Sequence, residues 1–81
     1  YLAGEEVAAL RVSSVSDLVG RTLAEINMRR AYEVSVVAVR RDAVVISNPD
    51  GDTHILAGDI LVAFGAPDRV AAVAALLDPE E

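Results

Sequence analysis

The chain has 81 residues, enough for one domain with a modest core. At 53% hydrophobic and 25% charged it is not a disordered segment, and the lack of cysteine removes a disulfide framework and any cysteine metal site. A formal net charge of -6, with arginine as the only strong base, opposes nucleic-acid binding, which calls for a basic face.

The chain opens at Tyr1, with no Met, signal peptide or membrane span, and reads as a domain of a longer protein. Residues 1–7, with Gly4, Glu5 and Glu6, read as a linker or tail. Residues 8–78 read as the folded domain, and 79–81 as a second tail. Ala8 to Val12 reads as a short strand with Ala8, Leu10 and Val12 on one side. Ser13, Ser14, Ser16 and Asp17 form a polar turn. Thr22 and Glu25 have the T-x-x-E spacing of a capping box, so a helix starts there with Leu23, Ile26 and Arg30 on one stripe. The capping role competes with a reading of Glu25 as ligand or base, and the signature favours capping.

The stretch from Val34 to Pro49 organises the chain. Val34–Arg40 and Ala43–Pro49 are rich in β-branched residues and read as two strands joined by a turn at Arg41–Asp42. Strict alternation puts Val34, Val36 and Ala38 on one face and Val37 and Val39 on the other. Both faces are apolar, so both call for cover, and a second copy of the chain is the simplest source of the outer layer. Asn48 to Thr53 is a loop by composition, and His54–Leu56 a short third strand. Ala57–Asp59 is a turn and Ile60–Gly65 a strand. Pro67 suits the first position of a helix whose stripe is Val70, Val73, Ala74 and Leu77. The expected fold class is α+β: a small β-α-β-β-β-α domain with a roughly four-stranded, mostly antiparallel sheet, helices packed on it, and dimerising.

Catalytic machinery is not expected. There is one histidine, no glycine-rich phosphate loop, and the acids sit in turns without a visible partner to tune them. Asn48, Asp50, Asp52 and Asp59 are oxygen donors that a divalent cation would want, but the spacing is not that of an EF-hand loop, and an ordinary polar turn is the favoured reading. His54 alone makes no zinc site; it reads as a sheet-margin residue or a hydrogen-bonding partner of a ligand. Arg29 and Arg30 read either as solvated arginines near a helix C-terminus or as phosphate ligands.

Gly20–Ile26, Val34–Arg41, Ala57–Val62 and Gly65, in that order, closely resemble the pattern of the RCK C-terminal (TrkA-C) domain family. The likeness runs from about Leu10 to Leu77. It implies a regulatory, ligand-sensing domain that gates transport of potassium or another monovalent cation through ligand binding at a homodimer interface. It also implies a membrane channel, transporter or antiporter partner, in the same or a separate chain, and a place in the cytoplasm at the inner face of the membrane. Neither direct membrane insertion nor nucleic acid is expected. Relatives often have Gly where this chain has Glu33, so a left-handed backbone is expected there. Some family members bind cyclic di-AMP. The matching positions here are Arg29, Ser35, a position often Asn in such binders, and Pro49. The candidate ligand set is therefore Arg29, Arg30, Ser35, Val36, Asn48, Pro49 and His54, for cyclic di-AMP or another nucleotide, with no metal. Competing functions are a purely structural dimerisation module and a divalent-cation sensor built on the acidic turns.

Overall fold

The computed structural model describes residues 4–79, so parts of both expected tails lie outside the described residues. The elements are β1 (Glu6–Arg11), α1 (Leu23–Ile26), α2 (Met28–Tyr32), β2 (Ser35–Arg41), β3 (Val44–Ser47), β4 (Ile60–Gly65) and α3 (Pro67–Leu77). They form an α+β domain with one four-stranded sheet in the order β1-β4-β2-β3. Every ladder is antiparallel. The first strand opens at Glu6, ahead of the expected Ala8.

The sheet presents one face to the helices. Leu10 and Ala8 of β1 lie opposite Leu61 and Ala63 of β4, which lie opposite Val39 and Val36 of β2. Residues facing each other across a ladder share a side of the sheet, so these line the inner face. Val12, Val34, Val39, Ile55, Leu61, Ala63, Val73 and Leu77 are fully buried and form the core with Met28 and Val70. Burying a Val, Leu or Ile side chain is worth about 1.5–3 kcal/mol, so this aliphatic cluster is the main source of stability. The expected α3 stripe is observed: Val70, Val73 and Leu77 are buried and Ala74 is half-buried.

Strict alternation fails in β2. The register shifts between Val36 and Ala38, leaving Val37 as an extra, exposed residue of a β-bulge. Val36 and Val39 therefore share the inner face, although the period of two separates them. The outer face carries Val7, Ala9, Ile60, Val62, Phe64, Ala38 and Val45, all exposed or half-buried and none part of the core cluster. This mostly apolar outer face, which also carries Arg11, Ser35, Arg40 and Ser47, has no helix over it.

Three other expectations change. The single helix expected after Thr22 is two, because Asn27 takes a left-handed conformation (φ 53°, ψ 49°) that short polar side chains tolerate. The break turns Met28 into the core and leaves Arg30, expected on the apolar stripe, exposed. The hairpin turn is Asp42–Ala43, one residue later than expected: Arg41 is still paired with Val44, and Asp42 supplies the positive φ of 53° suited to a two-residue loop. His54–Leu56 is not a strand. His54 makes an isolated bridge with Thr22, and Ile55 is drawn fully into the core.

Candidate functional site

The capping box holds as read. The Glu25 amide donates to Thr22 Oγ1 at 3.1 Å, and the Thr22 amide donates to Glu25 Oε1 at 2.8 Å. These bonds from Thr22 hold the Glu25 carboxyl below its ordinary value, which accounts for Glu25 as a cap. Glu33 closes α2 with φ 59° and ψ 34°, the expected left-handed geometry, and its amide donates to the Arg29 carbonyl at 3.0 Å.

Between α1, α2, the start of β2 and the loop after β3 lies a cleft of about 440 Å³. Arg29, Ser35, Val36, Asn48 and Pro49 all line it. Arg30 and His54 lie outside: Arg30 is exposed on α2, and the His54 carbonyl accepts from Arg41 Nη2 at 2.9 Å. Arg29 is exposed, and among the described residues it has no acidic partner within ion-pair distance. The Asn48 amide donates to the Val37 carbonyl at 3.0 Å, fixing the loop wall to the bulge. Gly51 faces Ala24 across the cleft floor so closely that a Cβ there would stand 3.1 Å from the Ala24 Cβ. The cleft thus offers the Arg29 guanidinium, the Ser35 hydroxyl, the side-chain amides of Asn27 and Asn48, the Asp50 carboxylate and apolar walls.

The acidic positions have other tasks. Asp50 Oδ1 accepts from the Asp52 amide at 3.0 Å and from Thr53 Oγ1 at 3.3 Å, which closes its own turn. Asp59 is 1% exposed and accepts from Arg41 Nε at 2.9 Å, from Arg41 Nη2 at 2.8 Å and from the Leu56 amide at 2.9 Å. The forked bond from Arg41 holds the Asp59 carboxyl below its ordinary value against the opposing effect of burial, and raises Arg41 in turn. From the sequence alone Arg41 falls in a turn and Asp59 among candidate cation ligands. The pair is separated by 18 residues, and no local spacing announces it. Among the described residues no group of three His, Asp or Glu side chains is arranged to hold a metal.

This is a small α+β domain with a polar-apolar cleft beside a bulged strand. The family profile described as "TrkA-C domain" matches residues 7–78, and the chain belongs to that family. A curated relative, an uncharacterized transporter (RB4869) of Rhodopirellula baltica, is 43% identical over 58 residues, covering 72% of this chain and 11% of its own length. The chain spans about a tenth of the curated relatives it matches. Among solved structures, the RCK_C domain dimer of S. agalactiae BusR in complex with c-di-AMP is similar with a TM-score of 0.83 and 22% identity, over 90% of this chain and 96% of that one. The RCK C domain of the potassium transport protein KtrA, also in complex with c-di-AMP, has a TM-score of 0.79 and 18% identity, over 86% and 80%. BusR is known as well in complex with busAB-promotor DNA; there the TM-score is 0.82 at 22% identity, over 89% of this chain and 35% of that chain. These likenesses concern the fold. No helix among the described residues is long and apolar enough to cross a membrane.

Proposed function

We propose that this domain is the ligand-sensing regulatory module of a membrane transport system for potassium or another monovalent cation. It acts as a homodimer in the cytoplasm and takes an anionic nucleotide, cyclic di-AMP in the first instance, in the cleft between α2 and β2. The observation that carries the reading is convergence. Arg29, Ser35, Val36, Asn48 and Pro49 come from three separate segments and line one cleft. The transporter names of the curated relatives support the setting, and the c-di-AMP complexes of BusR and KtrA support the ligand.

The dimer rests on the outer sheet face, whose apolar residues a second copy covers under a two-fold axis. Ser35 lines the cleft and also pairs with Phe64 on that outer face, so a second copy seated there brings the two clefts together. A two-phosphate ligand then meets an arginine from each chain. The net charge of -6 favours small-molecule and protein partners over nucleic acid.

Calorimetric titration with cyclic di-AMP tests the reading. A charge-assisted hydrogen bond is worth about 1.5–3 kcal/mol, so Arg29→Ala is expected to weaken binding at least about tenfold, and Arg30→Ala far less. Absence of binding by the wild type at high micromolar ligand rejects cyclic di-AMP. Equal binding by Arg29→Ala removes that residue from the site. A dimer that binds no nucleotide leaves the outer face as the basis of a purely structural dimerisation module.

A further inference from the structure

The wall of the cleft formed by α1 is short. The helix is one turn long with no fully buried residue, and Leu23 and Ile26 pack only part-buried against the core. It packs against α2 and comes close to no strand. Its backbone is held by the loop between β3 and β4. The Gly20 amide donates to the Ile55 carbonyl at 2.8 Å, the Ile55 amide to Arg21 at 3.0 Å, the Leu23 amide to Thr53 at 3.0 Å and the Ala24 amide to Gly51 at 3.0 Å. Four backbone bonds thus tie the start of α1 to that loop, and Leu23, Ala24 and Gly51 are themselves cleft residues.

The loop in turn is tied to β2 at two places. Near the cleft, the Asn48 amide bonds the Val37 carbonyl. At the far end, Arg41 bonds both Asp59 oxygens and the His54 carbonyl, and Asp59 bonds the Leu56 amide. Arg41 is the last residue of the strand whose first residues line the cleft. Alongside the backbone bonds between Val12 and the Gly58–Asp59 turn and the buried Ile55, this side chain ties the loop to the same strand that carries the opposite wall.

We propose that the Arg41–Asp59 pair is a positioning device for the ligand cleft: by clamping the His54–Asp59 segment to β2 it sets where α1 and Gly51 stand relative to Ser35 and Val36. Neither residue touches the cleft. The inference rests on the cleft being the ligand site, but its mechanical half, that the clamp places α1, does not need a ligand to be tested.

The test uses Asp59→Asn, which keeps the shape and removes the charge, and Arg41→Lys, which keeps the charge and removes the fork. Val73→Ala, a core change on α3 remote from the clamp, controls for general loss of stability. Amide hydrogen exchange is read at Leu23, Ala24 and Ile55 against β2 and β4. In both clamp variants, protection at Leu23 and Ala24 is expected to fall at least tenfold more than in the β2–β4 ladder, and in Val73→Ala all sites are expected to move together. Titration with cyclic di-AMP is expected to show at least fivefold weaker binding in the clamp variants and unchanged affinity in Val73→Ala, under conditions where each is folded. Uniform loss of protection in the clamp variants overturns the placement of α1 by the clamp. Selective loss at α1 with unchanged affinity overturns its role in the cleft. If the wild type itself fails to bind cyclic di-AMP, that ligand falls and the exchange pattern alone decides the positioning role.

Discussion

At the scale of single residues, two side chains carry sharp expectations. Glu33 sits in the left-handed region, where a non-glycine residue costs about 1 kcal/mol relative to Gly. Among the described residues its carboxylate has one ion pair, to Arg69 Nε at 3.5 Å, exposed at both ends and therefore of little weight. Glu33→Gly is expected to stabilise the domain by about 0.5–1 kcal/mol, read as a higher denaturation midpoint; a drop would reveal a side-chain role for Glu33. Asp59 behaves in the opposite sense. Removing one partner of a buried pair costs about 3–5 kcal/mol, and with 33% of the Arg41 side chain exposed we expect Asp59→Asn near the lower figure at neutral pH. Because its folded-state carboxyl lies below the ordinary 3.8, the unfolded chain binds the proton first. The contribution is therefore complete above the ordinary value and is lost as pH falls through the lowered one. Urea denaturation at pH 7 and at pH 3 should show wild type losing more stability between the two than Asp59→Asn does.

At the scale of elements, what could be read in the sequence was what is local. Thr22 and Glu25 stand three apart, and the bonds between them need nothing else from the fold, so the start of α1 was legible. Thr22→Ala is expected to cost about 1 kcal/mol and to fray α1, seen as loss of amide protection at Leu23 and Ala24. The stripe of α3 was legible for the same reason, as a periodicity within eleven residues. The left-handed Asn27 was not, because Asn is tolerated inside helices as well as at their ends, and only the packing of Met28 decides between them. The bulge at Val37 was hidden in a run of valines: a period of two has no mark for the extra residue, and β4 alone fixes where it falls. Of the site, Arg29, Ser35 and Pro49 were reached through family resemblance, while Leu23, Ala24 and Gly51 come to the cleft only through long-range pairing of the loop with α1. Arg41 and Asp59 could not be paired from sequence, since a buried carboxylate and a turn carboxylate look alike there.

At the scale of the whole molecule, the proposed dimer depends on the outer sheet face. Sedimentation at micromolar concentration should show a homodimer. Val45 is 59% exposed on that face, so Val45→Asp should leave the monomer folded by circular dichroism and shift the sedimentation to the monomer. A wild type that stays monomeric would sink the two-fold arrangement and assign the outer face to another part of a longer chain.

The pairing of β1 also has a mechanical consequence. Glu6 lies opposite Gly65, beside the start of α3, while the Ser13 amide donates to the Leu77 carbonyl at 2.8 Å and Ser16 Oγ to the Leu76 carbonyl at 2.7 Å, at the end of α3. β1 and α3 thus run side by side in the same direction. Tension applied between Glu6 and Leu77 passes along a strand already extended, about 20 Å for its six residues, and then through those two bonds. Such a line has almost no slack, so a segment pulling on one end moves the other with little loss. The cleft stands off this line, among α1, α2, β2 and the loop after β3. Its occupancy can reach the line through β4, which pairs with both β1 and β2, through α2, which packs on α3, and through the backbone bonds between Val12 and the Gly58–Asp59 turn.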